Sequence, residues 1–164
     1  VFGCPEPGMT DSDESRRPIL AVASGGGHWI ELVRLTPAWQ DERVIYVTTD
    51  AGYQKDVPGK RLLVVPDANR WEKVRMVRLA LKLLWIVATR RPRVVVSTGA
   101  AVGYLAVRFG RWFGARTVWI DSIANVEELS LSGKMAGNVV DLWLTQWPQL
   151  STKQGPEYAG AVLQ

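Results

Sequence analysis

The feature that most constrains this chain is a series of short, unbroken apolar runs, each ending in glycine or small polar residues. The first, Ile19-Leu20-Ala21-Val22-Ala23, runs into Ser24-Gly25-Gly26-Gly27-His28. A helix is expected over residues 29–39, with Ile30, Val33 and Leu35 facing inward and Pro37 near its end. Residues 44–49 and 62–65 read as further strands, and a long helix over 69–90 stops before Pro92. Strands over 94–98, 117–120 and 142–145, a helix over 102–113 and a last short strand over 158–162 complete the pattern. Apolar runs without polar alternation fit strands buried on both faces. Their alternation with helices predicts a Rossmann-like α/β fold, a parallel sheet covered on both faces and joined by right-handed crossovers. A length of 164 residues holds one such domain, over 19–164. The Pro-, Gly-, Ser- and acid-rich residues 1–18 are expected to form a flexible tail.

In such sheets ligands sit outside the carboxyl ends of the strands. Here those ends are residues 24–28, 48–50, 97–101 and 121–125. Lacking Cβ atoms, Gly25, Gly26 and Gly27 can turn backbone N–H groups toward a phosphate or pyrophosphate at a helix start. A tight turn without a ligand is the alternative. His28, the only histidine, is a candidate general base on an acceptor hydroxyl, since an imidazole titrates near neutrality. A purely orienting role in the loop is the other reading. In the polar segment 121–128, Asp121 and Glu127 are candidate bases or hydroxyl anchors. Helix capping by Ser130 or Ser132 accounts for part of that polarity equally well. One cysteine, Cys4, far in sequence from the one histidine makes no zinc site and no internal disulfide. The P-loop pattern is absent. No metal is expected.

The net charge of +4 conceals a segregation. Asp11, Asp13 and Glu14 lie in the tail, whereas Arg70, Lys73, Arg75, Arg78, Lys82, Arg90, Arg91 and Arg93 crowd the long helix and its end. Such a stretch points to an anionic partner surface. Arg75, Arg78 and Lys82 share one face, and Trp71, Val74, Val77, Leu81, Leu84, Trp85 and Ala88 form an apolar arc wider than core packing requires. A helix lying on a bilayer, with arginines on phosphates and Trp71 and Trp85 near the headgroups, fits this pattern. Arg90 and Arg91 extend the patch, and Trp112 and Phe113 beside Arg108 and Arg111 offer a second contact. The plainer reading is a core helix with a solvated edge. No run of about 20 apolar residues exists to span a membrane. The first residues carry prolines and acids where a signal segment would be apolar, so none is expected.

Four blocks in order add a resemblance: Ser24-Gly25-Gly26-Gly27-His28, Ser97-Thr98-Gly99-Ala100-Ala101, the stretch from Asp121-Ser122-Ile123-Ala124-Asn125 through Leu129-Ser130-Leu131-Ser132-Gly133-Lys134, and Thr145-Gln146-Trp147-Pro148. Together, from about residue 19 onward, they resemble the acceptor-side subunits of bipartite GT-B glycosyltransferases. That family includes bacterial PssD-type exopolysaccharide transferases and the eukaryotic dolichol-pathway subunit for the second N-acetylglucosamine. The resemblance implies the N-terminal half of a GT-B enzyme of the MurG kind. This half binds a lipid-linked saccharide acceptor, while a separate donor-binding subunit holds the UDP-sugar, and no cofactor is needed. On this sequence it implies His28 and Glu127 as catalytic candidates. It also implies Ser24, Gly25, Gly26, Gly27, Thr98, Gly99, Asp121, Ser122 and Asn125 as substrate- or nucleotide-binding candidates. Asp121 stands where the family often has glutamate, and Asn125 where it often has arginine. No membrane anchor like that of eukaryotic members is read at the amino end, so peripheral attachment to the inner face of the cell membrane through the basic helix is expected. Transfer with inversion in exopolysaccharide or capsule synthesis, inactive without the partner and not involving nucleic acid, follows from the same likeness. Two rivals remain: a dinucleotide-binding Rossmann module, with Asp50 as the ribose acid, and a non-catalytic membrane scaffold for the partner.

Overall fold

The structure is a computed structural model that describes residues 17–68 and 71–162. The expected tail therefore lies, up to residue 16, outside the described residues, as do Cys4, the acidic cluster, Asn69 and Arg70. Seven strands form one sheet: β1 (Ile19–Val22), β2 (Val44–Thr48), β3 (Arg61–Val64), β4 (Val94–Ser97), β5 (Arg116–Ile120), β6 (Leu142–Thr145) and β7 (Glu157–Tyr158). Their order is β3-β2-β1-β4-β5-β6-β7, and every pairing is parallel. Helices α1 (Gly27–Arg34), α2 (Lys73–Arg90), α3 (Ala100–Trp112) and α4 (Leu131–Ala136) supply crossovers. The Rossmann-like expectation holds.

Strand residues alternate between two cores because successive side chains point to opposite faces. Leu20, Val22, Ile45, Val47 and Val95 pack with Leu79, Leu83 and Ile86 of α2 and Val102 and Ala106 of α3. Ile19, Ala21, Tyr46 and Val96 pack on the other face with Trp29 and Leu32 of α1 and with Trp39. Because the sheet order reverses direction at β1, the loops after β1 and β4 diverge there. This is the switch point where a crevice opens at the carboxyl edge.

The expected helix over 29–39 is broken. α1 ends at Arg34, and Thr36–Trp39 forms a separate 3-10 turn. Pro37 has no N–H to donate to the Val33 carbonyl four residues back, which interrupts the α-helical ladder. Of the expected inward face, Val33 and Leu35 pack against the core, whereas Ile30 is 52% exposed and Trp29, Glu31 and Leu32 are the buried residues. The long helix begins at Lys73 and ends at Arg90, capped by Arg91 in the left-handed region with φ 42° just before Pro92. The last strand is Glu157–Tyr158, so of the expected 158–162 only Tyr158 belongs to it. Among the described residues no helix is long and apolar enough to cross a membrane.

Candidate functional site

His28 occupies the first turn of α1, and two reciprocal bonds tie it to the loop after β4. Its Nδ1 lies 3.0 Å from the Thr98 carbonyl oxygen, while Thr98 Oγ1 donates to the His28 carbonyl at 2.7 Å. A carbonyl only accepts, so Nδ1 must carry the proton. The neutral ring then keeps its lone pair on Nε2, the form a general base requires. The ring lies directly over Gly99, where a Cβ would stand 2.4 Å from His28 Cε1. Gly99 has φ 146°, a backbone region left almost entirely to glycine, and Ala100 follows at φ 64°. This strained turn lets the imidazole sit against the backbone.

The glycine loop has a narrower opening for an anion than its sequence suggests. Gly26, at φ 68°, precedes α1, and its N–H donates to the Tyr53 hydroxyl at 2.8 Å. The Tyr53 ring stacks on Trp29 at 4.9 Å, and Trp29 Nε1 donates to Asp56 at 2.9 Å. One loop donor is thus already engaged within the chain. The first-turn N–H groups of Gly27 and His28 remain, since a helix start leaves its first donors without an intrahelical acceptor. Asp50, the ribose acid of the dinucleotide reading, instead accepts from Gly52 N at 2.8 Å and caps the turn after β2.

The loop after β5 is organised around Asp121, which is 1% exposed. Its carboxylate accepts from Trp119 Nε1 (3.2 Å), Asn125 Nδ2 (3.1 Å), Ser130 N (3.0 Å) and Ser130 Oγ (2.6 Å). Four donors occupy its lone pairs, so Asp121 holds the loop and is not exposed as a base. Ser130 in turn caps α4 by accepting from Gly133 N, one of the two capping choices legible in the sequence. Gln146 Nε2 donates to the Asp121 carbonyl and Trp147 Nε1 to that of Ile123. The Gln-Trp-Pro block therefore acts as a strut beneath the loop.

These loops border a cleft of about 380 Å³ lined by Gly27, His28, Ser122, Asn125, Ser130 and Ser132, among others. Thr98 and Gly99 are not in its lining but hold His28, which is. Glu127 is exposed and lines an adjoining depression of about 340 Å³ that shares Ala124 and Asn125 with the cleft. Of the two catalytic candidates, the cleft itself contains His28. Ser24 lies at the entrance of the glycine loop, its Oγ 3.5 Å from the Gly25 carbonyl.

One residue of the site escaped the sequence reading. Glu31, one helical turn beyond His28, is 1% exposed and accepts from Ser122 Oγ (2.9 Å) and Ile123 N (3.0 Å). Burial pushes its carboxyl above the ordinary glutamate range, against those two hydrogen bonds and the nearby His28. The available signal was a charged residue on the helix face carrying Leu32, but the expectation that Ile30 faces inward hid it. Among the described residues no group of three or more His, Cys, Asp or Glu is placed to hold a metal ion.

The candidate membrane face is a separate surface. Trp71, just before α2, and Val74, Val77, Leu81 and Trp85 along it are exposed, with Arg75, Arg78 and Lys82 exposed among them. Arg75 pairs with Glu72 at 2.7 Å. Arg90 and Arg91 mark the helix end at the opposite, amino edge of the sheet, and Arg108 lies over the exposed Trp112 ring at 5.5 Å.

Known proteins place this architecture. MurG of Acinetobacter baumannii superposes with a TM-score of 0.72 at 11% identity, over 87% of this chain and 45% of that one. A UDP-N-acetylglucosamine 2-epimerase from Rickettsia bellii gives 0.66 at 11% identity, over 90% of this chain and 45% of that one. At such identities the likeness establishes the fold. Among curated relatives, the UDP-N-acetylglucosamine transferase subunit alg14 of Schizosaccharomyces pombe is 45% identical over 62 residues, 37% of this chain but 29% of that protein. The subunit of the same name from Eremothecium gossypii is 26% identical over 84% of this chain and 75% of its own. The family described as oligosaccharide biosynthesis protein Alg14 like matches residues 73–162, more than half of the sequence, and the chain belongs to that family.

Proposed function

We propose that this chain is the acceptor-side subunit of an inverting sugar transferase, completed by a donor-binding subunit that carries the UDP-sugar. The names of its relatives point to N-acetylglucosamine as the sugar. The acceptor is a polyprenyl-pyrophosphate-linked saccharide, as in exopolysaccharide or capsule synthesis. The observation that carries this reading is His28, its Nδ1 proton committed to Thr98 O while the ring lines a cleft at the sheet's switch point.

Nε2 takes the proton of the acceptor hydroxyl as its oxygen attacks the anomeric carbon from the face opposite UDP. The bond from that carbon to the phosphate oxygen breaks, UDP departs and the configuration inverts. The N–H groups of Gly27 and His28, at the positive end of α1, favour the charge gathering on the leaving pyrophosphate. Glu127, in the adjoining depression, anchors a sugar hydroxyl or serves as the base for a differently seated acceptor. The exposed face of α2 lies on an anionic bilayer on the cytoplasmic side and holds the cleft near its lipid-linked substrate.

The test is reconstitution with the donor-binding subunit and a panel of UDP-sugars. Turnover is expected from the pair and absent from either chain alone. Robust transfer by this chain by itself would overturn the split-enzyme reading. Tight, saturable binding of NAD(P) would favour a dinucleotide module instead.

A further inference from the structure

A carboxylate in an apolar interior is costly unless each of its oxygens finds a partner. Glu31, bonded to the cleft-lining Ser122, violates that rule. One oxygen, Oε1, accepts from both Ser122 Oγ and Ile123 N. The other, Oε2, is buried with no hydrogen-bond partner among the described residues. Pinning the loop does not explain the charge. A glutamine of the same shape would accept the same two bonds and avoid the desolvation.

The neighbouring groups indicate what the charge is for. His28 precedes Glu31 by three positions on the same helix, the spacing that puts two side chains on one face, and the charges that bear on the Glu31 carboxyl are those of His28 and, from the loop after β5, Asp121. Asp121 is saturated by four donors. From the segment after β2, Asp56 is engaged by Trp29 Nε1, and the Tyr46 hydroxyl of β2 is shared by Thr36 and Trp39. The loop after β4 offers His28 only the Thr98 carbonyl. Glu31 is therefore the carboxylate near His28 with unspent capacity.

We infer that Glu31 is a positioning residue, the buried counter-charge for the imidazolium that His28 becomes when it takes the acceptor's proton. This rests on the reading of His28 as the base. No proton moves to Glu31. It acts as the anion, the form that the bonds from Ser122 and Ile123 and the charge on His28 favour against burial, and its field, little screened in the interior, lowers the energy of the charged ring. Its bonds to Ser122 and Ile123 fix the carboxylate in place and tie the loop after β5 to α1.

The experiment uses the reconstituted pair of subunits with Glu31→Gln, Glu31→Asp, His28→Ala and the double variant Glu31→Gln/His28→Ala. Glu31→Gln is expected to melt no lower than wild type and to keep KM for both substrates, with kcat reduced roughly tenfold. Glu31→Asp, which retains the charge but shortens the reach, should recover part of that loss. In the His28→Ala background the Gln substitution should change kcat by less than about twofold, as expected for two groups acting as one unit. Wild-type turnover in Glu31→Gln, an Asp variant slower than the Gln variant, or a full tenfold loss persisting without His28 would each overturn the proposal. A Gln variant that melts well below wild type would do the same, because the charge would then serve the fold and not the reaction. Unchanged turnover in His28→Ala would sink the histidine reading itself, a result distinct from all of these.

Discussion

The carboxyl-edge cleft and the outer face of α2 are built on opposite plans. In the cleft, polar side chains are consumed by partners within the chain: His28 by Thr98, Asp121 by four donors, Asn125 by Asp121, Ser130 by Asp121 and Gly133. Along α2, large apolar side chains and cations stand exposed, with Trp85 at 59%, Leu81 at 62% and Val74 at 68%. The ion pair of Arg75 with Glu72 at the start of that helix is itself exposed, so it contributes about 0–1 kcal/mol. Folding alone sets the geometry of the first region. The second has its interactions in reserve, as expected of a surface that meets another phase or molecule.

Changes in the cleft and on α2 are therefore expected to separate cleanly. The largest effect is expected from His28→Ala, which should lower kcat of the reconstituted pair roughly 10²- to 10⁴-fold and leave vesicle binding untouched. Weakened vesicle binding in that variant would break the separation. Gly99→Ala comes next. Its Cβ would press on the His28 ring in a backbone region that L residues avoid, so about 1–3 kcal/mol of stability should be lost in urea unfolding, with activity falling further than stability explains.

On the other region, Arg78→Glu with Lys82→Glu should cut affinity for anionic vesicles by about tenfold or more, since each cation near such a surface contributes about 1 kcal/mol. Turnover on a short, water-soluble acceptor should persist. Equal loss on both substrates would mean that α2 belongs to the cleft's machinery.

Asp141→Asn, remote from both regions, should have the smallest effect. Partial burial pushes the Asp141 carboxyl up, but bonds from Thr117 N and Oγ1 and the Arg111 guanidinium outweigh it and hold it below the ordinary aspartate range. A depressed carboxyl stabilises the fold above its unfolded pKa, and that contribution is lost as pH falls through the folded value. Because the carboxylate is 44% exposed and screened by solvent, the variant should cost no more than about 0.5–1 kcal/mol at neutral pH and show a shallower acid limb in thermal melting.

The sheet could be read from the chain because its information is local. A run such as Val94-Val95-Val96 between Pro92 and Gly99 has few ways to fold other than as a doubly buried strand. The breadth of the α2 apolar arc was legible for the same reason, since one helix's periodicity decides what its core face leaves over. His28 could be placed at a strand end, but not its tautomer. That depends on Thr98, 70 residues away.

What the amino acids determined by themselves was thus the strand–helix alternation, the glycine–histidine turn at its carboxyl edge and the excess apolar surface of α2. Tertiary structure alone decided that Ile30 faces out and Glu31 in, that Asp121 is spent on its own loop, and that Tyr53 engages Gly26. The physical reason is common to these cases. A polar group's fate depends on which donors and acceptors arrive beside it, and those come from segments that periodicity cannot bring together, such as Ser122, 91 positions from Glu31.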